Sequence, residues 1–292
     1  MKIYYGLSSV LLILGTLSSS VVVAEDTDIF LESPGITAGR PNVLLVLDNA
    51  ASNNSNITLL NGASGTKLKM LEQVLENIVD PMNSSHFPSC VITEVDGEKV
   101  RTPADCVTRA EVLELLEGIN LGLMLANPSG STTGGYVRYH IRPMNVESNR
   151  AGILGKIKND AAGIPQANNA PYAKSMHEAY LYFGGKPQAY AGFSSTQYDS
   201  AAKSGNGYVS PISDSCQKNY IIFVGNGGPD SGEENDTQKL LGGVGATAVS
   251  PSGILTSDPV SFTPNNYTSS WFDEYARTLF KRDVNTAVDG MQ

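Results

Sequence analysis

The sequence predicts a doubly wound α/β fold on a mainly parallel sheet, with loop-rich insertions. Three observations predict it. The runs Val43–Leu47, Ile119–Ala126 and Tyr220–Val224 are apolar but for Asn120, the pattern of buried core strands. Segments of helical periodicity separate them, as crossovers between parallel strands require. The first run ends on a lone carboxylate, Asp48, followed by small residues from Asn49 to Ser52. The carboxyl ends of strands are where open α/β sheets place ligand sites.

Taken in order, the chain opens with a positive Met1-Lys2, an apolar Val10–Leu17 and small residues from Ser18 to Ala24. This is the pattern of a secretory signal over residues 1–24, cleaved after Val22-Val23-Ala24. Its apolar part is shorter than the roughly 20 residues a membrane span needs, so the mature chain is expected to be exported without a span. Residues 25–40, with Pro34 and Gly35, read as an extended lead-in to a domain over 41–292. An Asn/Ser/Gly-rich loop follows the first strand. Leu68, Leu71, Val74, Leu75, Ile78 and Val79 then form a helical stripe over Lys67–Val79, stopped by Asp80-Pro81. Residues 82–108 are a loop-rich insertion. Arg109–Glu117 is predicted helical on Val112, Leu113 and Leu116.

Asn127–Gly135 is turn chemistry. Val137, Tyr139 and Ile141 alternate with Arg138, His140 and Arg142, the pattern of a half-exposed strand. Ala151–Ala161 is predicted as a short helix. Tyr172–Phe183 is another, with Pro171 at its start and Gly184-Gly185 at its end. Trp271–Phe280 is a last amphipathic helix.

Composition narrows the function. The chain has 292 residues, 41% hydrophobic and 17% charged, which suits a folded domain. A net charge of −9 disfavours nucleic acid as a partner, because a polyanion is repelled. Export permits a disulfide, and Cys90 and Cys106 bracket a polar loop that their pairing would staple. Cys216 is then left to pair outside the segment or to remain a buried thiol. His86, His140 and His177 read as surface or structural residues, since no Gly-x-Ser-x-Gly elbow supplies a nucleophile. Gly225-Asn226-Gly227-Gly228 lacks the order of a phosphate-binding loop. Asp230, Glu233, Glu234 and Asp236 have no calcium-loop spacing and read as a solvated acidic loop. A secreted α/β hydrolase is the alternative class to a non-enzymatic binding domain.

The stretch Asp48-Asn49-Ala50-Ala51-Ser52 resembles the Asp-x-Ser-x-Ser loop of von Willebrand factor A domains. Further phrases narrow the resemblance to PilY/PilC-type proteins of type IV pili. They are Pro41 to Asn49, Asn120-Leu121-Gly122-Leu123-Met124 with Gly134-Gly135-Tyr136-Val137, Ala170 to Ser175, Cys216 to Phe223, and Trp271 to Ala276. The resemblance implies a von Willebrand factor A (Rossmann-like) sheet and a role in pilus assembly or adhesion. The implied partners are minor pilins or a host or surface receptor, and the implied place is the periplasm, pilus tip or cell surface. It also implies a cation site of hard oxygens from three loops. In this chain Ala50 stands for the first serine, Ala170 for a threonine and Asn226 for an aspartate. Asp48, Ser52 and Asn226 remain as a vestigial metal set, expected to bind no cofactor or at most Mg²⁺ or Ca²⁺ weakly. The family continues into a further strand and a β-propeller, so the domain is expected to be truncated at its C-terminal end.

Overall fold

Asn42 to Leu47 form a strand in which every residue is buried, and the rest of the fold is arranged around it. A computed structural model describes residues 39–60, 62–95, 98–104, 106–126, 134–158, 164–167, 170–187, 197–227, 272–281, 284–285 and 287–288. The signal segment 1–24, most of the lead-in, the 127–133 turn and the acidic residues from Asp230 to Asp236 lie outside the described residues. So do Trp271 and the chain end after 288.

The strand Asn42–Leu47 is β1. A 3-10 turn at Ala51–Asn54, β2 (Asn56–Thr58) and β3 (Ser64–Thr66) lead to α1 (Lys67–Val79). The insertion holds a hairpin, β4 (Val91–Val95) and β5 (Glu98–Thr102). Then follow α2 (Arg109–Glu117), β6 (Asn120–Ala126), β7 (Gly135–Pro143), α3 (Glu147–Lys158) and α4 (Tyr172–Phe183). A 3-10 turn at Ser200–Ala202, β8 (Lys203–Ser204), β9 (Gly207–Tyr208), β10 (Asn219–Val224) and α5 (Phe272–Lys281) complete the described elements.

The fold is mixed α/β. Its main sheet has the order β10-β1-β6-β7. β1 pairs parallel with β10 and β6, and β7 runs antiparallel to β6. Full burial of β1 means that both of its faces are covered. α1 packs on α2 and α3, while α4 packs on α5, β6 and β7.

Three expectations need correction. Among the described strands β10 lies at an edge rather than being fully buried, with Ile222 and Val224 exposed. β7 is covered on both faces: Arg138, on its polar side, is 2% exposed. The 197–208 segment lies over it. There Arg138 donates to the Gln197 carbonyl at 3.0 Å, and Arg142 pairs with Asp199 at 2.6 Å. Asp199 also accepts from the His140 backbone N–H at 3.0 Å. Finally, α1 buries Leu68, Leu75 and Val79 together with Glu72, Gln73 and Glu76, and leaves Val74 and Ile78 exposed. Its face is rotated because Glu72 accepts from the Ile164 N–H and Glu76 pairs with Lys158, so neighbouring chain covers its polar side.

α2 starts from a capping box, in which the Thr108 hydroxyl accepts from Glu111 N–H and the Glu111 carboxylate accepts from Thr108 N–H. α3 starts four residues earlier than its periodicity predicts, at Glu147.

Candidate functional site

The candidate site lies at the carboxyl end of β1. Asp48 is 4% exposed and its carboxylate is held from three directions. Oδ1 accepts from the Ala50 N–H at 2.8 Å, closing a tight turn after the strand. Oδ2 accepts from the Tyr172 hydroxyl at 2.7 Å and from the Asn226 N–H at 3.1 Å. The same Asn226 N–H lies 3.2 Å from the Tyr172 oxygen. Three loops therefore meet on one carboxylate: the one after β1, the one before α4 and the one after β10.

Each loop has a local reason to reach this point. Asn49 is fully buried and bonds the end of β6 in both directions. Its Oδ1 accepts from the Ala126 N–H at 2.8 Å and its Nδ2 donates to the Ala126 carbonyl at 3.1 Å. Nδ2 also donates to the Pro165 carbonyl, and the Asn49 carbonyl accepts from Ala167 N–H, which draws the 164–167 segment in. Asn53 donates to the Asp48 carbonyl at 2.8 Å and shapes the 3-10 turn. Tyr172 is the first residue of α4, aimed at Asp48. A Cβ on Gly225 would come within 2.9 Å of its hydroxyl, so glycine is what lets the phenol approach.

Ala50 and Ala170 pack with Tyr172, Phe223 and Phe272 in a small apolar cluster. Tyr172 and Phe223 lie edge to face at 4.6 Å between centroids, and Phe223 and Phe272 at 4.7 Å. The remaining amide oxygen, Asn226 Oδ1, accepts from the Lys67 ammonium at 2.8 Å. Of the expected set, Asp48 and Asn226 are brought together, but through the Asn226 backbone N–H rather than its side-chain oxygen. Ser52 lies in the 3-10 turn, and its side chain is outside the described residues.

This donor set does not suit a hard cation. Three hydrogen-bond donors already use the carboxylate, and an ammonium already uses the amide oxygen. Mg²⁺ demands near-ideal octahedral oxygen geometry and would have to displace them. Among the described residues no three His, Cys, Asp or Glu side chains cluster in a metal-ready group.

Tyr172 and Lys67 are the site residues that the sequence reading missed. A signal existed for Lys67. It stands at the first position of a helix whose first turn holds no acidic residue, where a cation opposes the helix dipole. Such a placement asks for a specific partner, and Asn226 supplies it. Tyr172 reads in sequence only as an ordinary helix-start residue.

The cysteines and histidines sit elsewhere. Cys90 and Cys106 are disulfide-bonded, with Cα atoms 5.4 Å apart. Cys216 is exposed and unbonded, not a buried thiol, because the 213–216 turn lies at the surface. His86 Nε2 lies 3.4 Å from Gln73 Nε2 beside α1. His140 Nδ1 lies 2.9 Å from the Tyr182 hydroxyl, which accepts from the Ile141 N–H. Burial, aided by the nearby Arg142 charge, pushes His140 down to about 4. Burial does the same to His177, which lies 3.3 Å from the Tyr275 hydroxyl. Both rings pair with buried phenols.

The chain was compared with family models, curated proteins and solved structures, and no match was found. No described helix is long and apolar enough to cross a membrane.

Proposed function

We propose that this chain is a non-enzymatic, exported adhesion or assembly domain of von Willebrand factor A type. It resembles the N-terminal part of a PilY/PilC-type pilus tip protein and carries a degenerate cation site. The observation that carries the reading is the meeting of three loops on Asp48 at the end of a central parallel strand. That is the place where an A-type domain gathers its ligand loops. The positions of two lost ligands, Ala50 and Ala170, lie together in the apolar cluster beside it. The site then acts without a metal: its loops are held by hydrogen bonds, and their outer surface serves minor pilins or a surface receptor.

A hydrolase reading would need a histidine beside a nucleophile. His140 and His177 instead face Tyr182 and Tyr275.

The test is capture of purified minor pilins by the exported chain, with and without EDTA. Equal capture in both conditions supports the reading. Capture abolished by EDTA, or ester or phosphate turnover lost on replacing one histidine, contradicts it.

A further inference from the structure

The chain contains three Asn-Gly pairs, Asn61-Gly62, Asn206-Gly207 and Asn226-Gly227. Such a pair can cyclise. The glycine nitrogen attacks the asparagine Cγ, and a glycine offers no Cβ to hinder it. The reaction needs a glycine N–H that the fold has not already used. The three pairs differ in this respect. Gly62 N–H donates to the Leu59 carbonyl at 2.9 Å. Gly207 pairs with Ser204 in the β8–β9 ladder. Gly227 is exposed, and its N–H donates to no acceptor among the described residues. The space about its Cα is also open, since a Cβ built there would meet nothing within 4 Å.

Asn226 is held in a way that favours the attack. Its own N–H is fixed on Asp48 Oδ2 at 3.1 Å. Its Oδ1 accepts from the Lys67 ammonium at 2.8 Å. That oxygen is where negative charge develops as a nitrogen adds to Cγ. A donor already set at hydrogen-bond distance stabilises the charge with no reorganisation. Lys67 is the first residue of α1, whose first turn holds no acidic residue, so the positive end of the helix dipole favours the developing anion as well.

We propose that Asn226 is a spontaneous modification site, at which Gly227 supplies the nucleophile, Lys67 stabilises the oxyanion, and the amide becomes a carboxylate. The Gly227 nitrogen gives its proton to solvent hydroxide and forms a bond to Cγ. The tetrahedral carbon then collapses. The Cγ–Nδ2 bond breaks, Nδ2 takes a proton from water, and ammonia leaves. One water opens the cyclic imide at either carbonyl, which gives aspartate at position 226 or its β-linked isomer. The balance is water in and ammonia out, with no oxidation or reduction. In the aspartate product the new carboxylate meets the ammonium already in place. A hydrogen bond from a cation to a neutral amide becomes an ion pair between α1 and the loop after β10. The loop that closes on Asp48 is thereby tied to the start of α1 by charge.

The test is incubation of the full exported chain at mildly alkaline pH, with peptide mapping by mass spectrometry to follow conversion at all three pairs. A standard carrying Asn226→Asp marks the product. In the native chain Asn226 should convert faster than Asn61 and Asn206. Lys67→Met should slow conversion at Asn226 at least about tenfold, the scale of losing one oxyanion donor. Unchanged rates at Asn61 and Asn206 in that variant show that its fold is kept. In urea the lead of Asn226 and the effect of Lys67→Met should both vanish, because each depends on the fold. The proposal is overturned if native Asn226 converts no faster than the other two pairs, or if Lys67→Met leaves its rate unchanged. A peptide in which Lys67 is covalently joined to residue 226 also overturns it, since lysine rather than Gly227 would then be the nucleophile.

Discussion

The two ends of β1 are both polar and both buried, yet they are built for different purposes. At the amino end Asn42 is bonded sideways across the sheet. It donates to Asn219 Oδ1 at 2.9 Å and to the Pro211 carbonyl at 3.0 Å. It accepts from Asn120 Nδ2 at 2.9 Å and from Gln217 Nε2 at 3.2 Å. Asn120 and Asn219 are its direct register partners on β6 and β10. This amide ladder pins three strands in register, with Pro211 and Gln217 joining it from the segment before β10. At the carboxyl end Asp48 is satisfied by loops, through Ala50, Tyr172 and Asn226. A strand-to-strand network fixes the scaffold, whereas a strand-to-loop network gathers a surface. Only the second can vary its loops without breaking the sheet.

The broadest expected effect belongs to neither end. His140 and His177 are held neutral down to about 4, against an ordinary value of 6.5, by burial. The unfolded chain takes up protons between these values and the native one does not. Stability is therefore full above pH 6.5 and is lost as pH falls towards 4. Allowing for partial exposure, the loss is about 4 kcal/mol between the two rings at pH 4. Thermal melts across this range should show it. Because the ladder contains no titratable group, an Asn42→Ala background should keep the same slope. A flattened slope there would couple the ladder to the histidines and blur the division.

Asn42→Ala is expected to cost about 3 kcal/mol, since it strands buried amides on β6 and β10. Denaturant melts should show the loss, while pilin capture persists below the lowered transition. Asp48→Ala should cost less, about 2 kcal/mol, because removing a buried carboxylate relieves its own desolvation as it frees three donors. Its capture, however, should fall as the loops lose their common anchor. Tyr172→Phe, which removes one of the three donors, is expected to cost about 1 kcal/mol. If Asn42→Ala abolished capture and Asp48→Ala left it intact, the roles given to the two ends would be reversed.

The strands and helices were legible because periodicity reports burial. β1 and α4 follow directly from apolar runs and punctuating Pro and Gly. What sequence could not carry was which strand sits at the edge. Tyr220–Val224 is as apolar as Val43–Leu47, and only the sheet order makes Ile222 exposed. Arg138 and Arg142 alternate with apolar residues and so predict a wet face, but a segment far away in sequence covers them, Gln197 taking Arg138 and Asp199 taking Arg142. At the site, Asp48 was visible as a lone carboxylate after a strand. Its satisfaction by Tyr172, 124 residues on, is a tertiary fact that no local pattern records.

The central claim is that protein donors, not a cation, complete the Asp48 site. Titration calorimetry with Mg²⁺ tests it most directly. The natural chain should give no saturable heat, and neither should Ala50→Ser/Ala170→Thr/Asn226→Asp, because Tyr172 still caps Asp48 and Lys67 would pair with the new carboxylate. Adding Lys67→Ala and Tyr172→Phe to that triple change should raise Mg²⁺ affinity at least tenfold. Saturable Mg²⁺ binding by the natural chain, lost on Asp48→Ala, would contradict the account.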